Sequence, residues 1–214
     1  MTKKNTDFNF VTSLDPFGIN PGRFSAIAIS SNGLIAAASY PQSLVGVWNW
    51  KSGNKSFVLF QKVRDLGFSP DGLVLVTQSY HRELKFWNTS DATLIAVVEN
   101  AQPFRFHSFS PDGRYFACSR EESTAILDVE SGRTIASFKR TKLPSNTKLA
   151  SKGEFLVQTF ANEVIVDPIS ESSNIKGVTL TCGDRVKSIA ISHGAGKVLE
   201  KNKTSTISTV LYCR

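Results

Sequence analysis

The residues best able to do chemistry in this chain are three histidines, three cysteines and one glycine-lysine run. His81, His107 and His193 stand far apart, and none has a Cys or Asp nearby at metal-ligand spacing. Cys118, Cys182 and Cys213 are widely spaced and odd in number, so they read as incidental thiols, not as a disulfide framework or zinc cluster. Gly194-Ala195-Gly196-Lys197 lacks the full spacing of a phosphate loop and the hydroxyl residue that follows its lysine. No serine sits in a Gly-x-Ser-x-Gly elbow. The sequence implies no enzyme, no cofactor, no metal and no small-molecule substrate.

Charge suggests binding instead. The net charge of +7 is carried by the C-terminal part: residues 1–132 hold 12 basic and 12 acidic side chains, residues 133–214 hold 13 and 6. A basic C-terminal part can attract nucleic acid or an acidic protein surface, or can simply be a solvated edge. No run approaches the roughly eighteen apolar residues of a membrane span. The polar stretch Met1 to Phe10 lacks the apolar centre of a signal peptide, which places the expected fold in the cytoplasm, or in the nucleus.

The elements that must position these charges follow from a repeat. Phe68-Ser69-Pro70-Asp71-Gly72 returns unchanged at Phe109-Ser110-Pro111-Asp112-Gly113. Looser copies begin at Ile29, Leu149 and Ile191, so the leading apolar residues are spaced 39, 41, 40 and 42 apart. A second landmark keeps step with the first: Trp48, Trp87, Leu127 and Val166 each end a strand-like run before Asn or Asp. The second unit parses into strands Val63–Phe68, Leu73–Thr77, Leu84–Trp87 and Leu94–Val98, separated by polar turns. Four antiparallel strands per forty residues form a blade whose two apolar faces must be covered by neighbours.

On the Phe-Ser-Pro-Asp-Gly turns, the Trp-Asn and Leu-Asp strand ends and the period, the chain from Arg23 onward resembles the WD-repeat family. The resemblance implies an all-β, WD-type β-propeller of about five four-stranded blades, either an incomplete part of a larger propeller or a closed small ring. The units run 23–61, 62–102, 103–142, 143–183 and 184–214, with 1–22 an arm whose Asp7–Thr12 segment is a possible closing strand. The fifth unit is expected to end on its third strand, Ile207 to Tyr212. Departures are also visible. The Gly-His pair before the first strand is absent, and Gln42, His81, Glu121 and Phe160 stand where the family often places a structural Asp. The buried Asp-His-Ser/Thr-Trp network of strong repeats is therefore expected to be missing.

Such propellers bind through the loops joining second to third and fourth to first strands. Here those loops carry Tyr40, Tyr80, His81, Arg82, Arg120, Glu121, Arg140 and Lys142. Tyr and Arg suit interface anchors by combining contact area with hydrogen bonding. Arg64, Arg105 and Lys187 recur near the start of first strands, where they are placed to ring the central channel and attract an anionic segment. The resemblance implies a scaffold for several protein partners at once, with RNA or chromatin binding through the basic C-terminal part as the alternative. Trp48-Asn49-Trp50-Lys51 also resembles WD-repeat proteins of cilia and flagella, which implies a place in an axonemal complex.

Overall fold

A computed structural model describes residues 23–40, 43–49, 55–99, 106–119, 123–150, 153–169, 177–181, 188–191, 197–200, 203–206 and 209–212. These residues form twenty β-strands and no α-helix. Blade 1 is β1 (Arg23–Ile29), β2 (Leu34–Tyr40), β3 (Leu44–Asn49) and β4 (Lys55–Phe60). Blade 2 is β5 (Val63–Phe68), β6 (Val74–Ser79), β7 (Leu84–Asn88) and β8 (Leu94–Val98). Blade 3 is β9 (Phe106–Phe109), β10 (Tyr115–Ser119), β11 (Ser123–Asp128) and β12 (Thr134–Lys139). Blade 4 is β13 (Asn146–Ala150), β14 (Phe155–Phe160), β15 (Glu163–Pro168) and β16 (Val178–Thr181). Each is an antiparallel sheet with its strands side by side in chain order.

The hydroxyl of the leading serine builds the first turn of blades 1, 2 and 3. Ser69 Oγ donates to Asp71 Oδ1 (2.6 Å) and accepts from the Val74 N–H (2.9 Å), and Ser110 repeats this with Asp112 and Tyr115. The worn copy in blade 1 keeps the geometry with Asn in place of Asp, Ser30 Oγ donating to Asn32 Oδ1 at 2.5 Å. Gly33, Gly72, Gly113 and Gly153 close these turns at φ 89°, 74°, 74° and 86°. Only glycine enters that region freely, which is why it outlasts the rest of the motif in the degenerate copies. Leu73, expected inside a buried run, is 57% exposed, because its N–H is bound by Asp71 in the turn and the strand starts at Val74.

The sheets stack face on face. Ala36, Val45, Val47 and Leu59 of blade 1 pack on Leu66 and Leu75 of blade 2. The opposite side of blade 2, Val76, Leu84 and Phe86, packs on Phe116, Cys118 and Leu127 of blade 3. Ala117 and Ile126 of blade 3 meet Leu149 and Leu156 of blade 4. This is propeller packing: among the described residues, blades 2 and 3 are each covered on both faces. On blade 1, Ile27 and Ile29 are 67% and 69% exposed, whereas Leu66, which matches Ile27 in the repeat, is 6% exposed beneath blade 1.

The fifth unit departs from expectation. The strand over 209–212 is not the third of a regular blade. It pairs with the first strand, β17 (Ser188–Ile191), as β20 (Thr209–Tyr212), while β18 (Lys197–Glu200) and β19 (Lys203–Thr206) form a separate hairpin. Composition accounts for the choice. Ser-Ile-Ala-Ile and Thr-Val-Leu-Tyr are the apolar runs of this unit, and the intervening hairpin is rich in Lys, Glu and Thr. Asp7–Thr12 lies outside the described residues.

One link of the buried Trp network, the Thr–Trp hydrogen bond, is present in blade 2. Trp87 Nε1 donates to Thr77 Oγ1 (2.9 Å), and Thr77 Oγ1 donates to Gln61 Oε1 (3.1 Å). Gln61, two residues before β5, ends this chain of bonds, its amide oxygen accepting from Thr77. In blade 1 the residue matching Thr77 is Ala37, and Trp48 Nε1 is buried without a partner. Thr77→Val keeps the shape and removes the hydroxyl, so it reproduces that defect in blade 2. It is expected to lower unfolding free energy by about 1–3 kcal/mol in urea titrations, and a change under about 0.5 kcal/mol contradicts the assignment.

Candidate protein-interaction face

The turns joining second to third strands and the connectors joining fourth to first strands lie at one end of the blades. In blade 2 the two are tied together, since the Tyr80 N–H donates to the Lys62 carbonyl (3.4 Å). Ser79 fixes the turn. Its Oγ accepts from the N–H groups of His81 and Glu83, both at 3.1 Å, and its own N–H donates to the Glu83 carbonyl (2.9 Å). Tyr80, His81 and Arg82 are held outward and exposed. Arg82 sits at φ 66°, a left-handed conformation that costs a residue with a Cβ about 1–2 kcal/mol. Arg64 is exposed too, as the extra residue where the pairing of β5 with β6 shifts register between Val63 and Asp65. Ser25 holds the matching shift in blade 1 and donates its hydroxyl to the Val63 carbonyl (2.9 Å).

In blade 4 the same end forms a groove of about 390 Å³. The connector side supplies Arg140, Lys142 and Ser145, and the turn side supplies Phe160, Asn162 and Glu163. Lys142, Asn162 and Glu163 are exposed, and Phe160 forms buried apolar wall. Arg140 is turned inward. Its Nε donates to Gln158 Oε1 (2.8 Å), its Nη2 pairs with Asp167, and its guanidinium lies 5.5 Å from the centre of the Phe138 ring. Gln158 in turn donates to Thr124 Oγ1 (2.7 Å), beside Ser119 and Thr147.

Of the residues singled out in the sequence, Tyr80, His81, Arg82 and Arg64 gather at the blade 2 corner, and Arg140 and Lys142 at the blade 4 groove. Tyr40 ends β2, paired with Arg23, and its side chain lies outside the described residues, as does that of His107 on β9. Arg105, Arg120, Glu121 and Lys187 also lie outside them. Lys62, Gln158 and Asp167 were missed by sequence reasoning. Lys62 carries a usable signal, its place in a connector beside a turn tyrosine; Gln158 and Asp167 read as ordinary strand residues. Among the described residues no cluster of His, Cys, Asp and Glu is able to hold a metal ion.

At the opposite end, Asp128 binds the Ser131 hydroxyl (2.7 Å) and N–H (2.9 Å). These bonds, the hydroxyl first, with the nearby Arg114 charge, hold its carboxyl below the ordinary aspartate value.

No protein-family model matches the sequence, and no curated protein matches it in sequence. The fold has solved counterparts. A chain in the crystal structure of the mitotic checkpoint complex superposes with a TM-score of 0.59 over 78% of this chain at 19% identity. At that identity the likeness is one of fold. The matched region spans 54% of the other chain's length.

Proposed function

We propose that this chain is a non-catalytic scaffold that holds several protein partners on the end of its blades bearing the second-to-third turns and fourth-to-first connectors. The observation that carries this reading is the blade 4 groove. It is a concave site with an apolar wall at Phe160 and polar groups at Lys142, Asn162 and Glu163, mounted on rigid strands. Partner sites favour such an arrangement, in which little ordering is left to occur on binding. The fold counterpart from the mitotic checkpoint complex was itself solved within an assembly, which fits the same reading.

The test blocks the groove. Lys142→Glu with Asn162→Trp is expected to weaken retention of co-purifying partners about tenfold, a loss of one hot-spot contact. Arg114→Glu with Arg133→Glu, on the exposed turns of the opposite end, is expected to leave retention intact. Equal retention by both variants removes the support for this face.

A further inference from the structure

We propose that the blade 2 corner formed by Lys62, Arg64, Tyr80, His81 and Arg82 docks an acidic segment of a partner protein, its carboxylates on the arginines and its backbone against Tyr80. The proposal rests on the scaffold reading above and deepens it by naming the partner's chemistry.

Four observations converge on this corner. First, the turn holds an arginine in a left-handed conformation at its tip. The second-to-third turns of blades 1 and 4 also use a left-handed residue, but there it is small, Ser43 or Ala161. In blade 2 the position holds Arg82, the bulkiest of the three, where glycine would sit without strain. Second, the two arginines of the corner are not neutralised among the described residues. Glu83, the adjacent acid, is paired with Lys85 at 2.9 Å, and neither Arg64 nor Arg82 makes an ion pair among the described residues. Third, Tyr80 is 49% exposed, with the Lys62 ammonium 5.5 Å from its ring centre, so a flat apolar surface adjoins the positive charge. Fourth, the corner is preorganised by the Ser79 hydroxyl and the Tyr80–Lys62 backbone bond, so a ligand meets fixed donors.

This chemistry favours a carboxylate-bearing peptide over RNA. Single-stranded RNA is gripped by a series of stacking aromatic rings along a basic track, and this corner offers one ring. Arginine gives a carboxylate two parallel donors, and Arg82 is free to present both.

The test uses fluorescence anisotropy with the full chain and a labelled glutamate-rich peptide, set beside the matching glutamine peptide and an oligouridylate. The glutamate peptide is expected to bind and the glutamine peptide not to. Arg82→Gly is expected to weaken binding about tenfold, the worth of one charge-assisted contact, while leaving the melting temperature unchanged or higher. Tyr80→Ala is expected to weaken it about threefold. Arg133→Gln, exposed at the far end, lowers net charge equally and is expected to leave binding unchanged. Three results overturn the proposal: binding indifferent to Arg82→Gly, equal losses for Arg82→Gly and Arg133→Gln, or tighter binding of oligouridylate that Arg82→Gly abolishes. Because the blade 4 groove is untouched by these variants, such a result leaves the retention test of the scaffold reading standing.

Discussion

Phe116→Ala is expected to lower unfolding free energy by about 3–5 kcal/mol, a large share of the total for a domain of this size. Phe116 is fully buried on β10, at the centre of the contact between blades 2 and 3. Its ring meets Phe109 edge-on at 4.9 Å and Phe86 at 5.6 Å, and those two are themselves 6.4 Å apart. Truncation therefore loses transfer free energy, leaves a cavity walled by rigid strands, and removes two edge-to-face contacts. In a stack of blades that contact also couples neighbouring units, so the urea transition is expected to broaden as the midpoint falls. The control lies on the same molecule. Ile29→Ser, at a position 69% exposed on blade 1, is expected to change stability by less than about 1 kcal/mol. Similar losses at both positions contradict the assignment of the blade 2–blade 3 contact as core.

Much of this could be read without coordinates, for a local reason. The serine-to-aspartate turn is closed by bonds that span at most five residues, so identical words at Phe68 and Phe109 produce identical geometry. Strands β5 and β8 fall on the ranges that periodicity and turn residues set for them. Bonds between distant residues were not legible. Gln61 reaches Thr77 across 16 positions, and nothing local to a glutamine announces that partner. Nothing local to Arg140 announces a carboxylate 27 residues later; in a connector it reads as a surface cation. The pairing of β17 with β20 depends on competition among four short strands, which a repeat period does not encode. The proposed binding face was therefore visible as a set of loops, and the division between outward and inward side chains was not.

That inward turn of Arg140 leads to the second large effect: Asp167→Ala is expected to cost about 2–4 kcal/mol. The two side chains are 14% and 20% exposed, and the guanidinium comes from the connector after β12 to meet Gln158 of β14 and Asp167 of β15 in blade 4. Removing the carboxylate strands a largely buried cation, and the loss then reflects its desolvation, not the worth of the pair. Partial exposure lets water reach the guanidinium, which keeps the figure below that of a fully buried pair. Replacing both partners separates the two causes. Arg140→Met with Asp167→Leu removes the stranded charge along with the attraction, so the double variant is expected to be more stable than Asp167→Ala alone. It also leaves Gln158 Oε1 without its donor, which sets the residual cost near 1 kcal/mol. Urea unfolding of the three proteins decides the matter: a double variant as unstable as the single one shows that Asp167 stabilises the blade by some route other than Arg140. The same pair bears on the groove. While Asp167 holds the guanidinium, Lys142 is the groove cation left exposed to a partner, so Asp167→Ala is expected to tighten binding of acidic ligands there even as it weakens the fold.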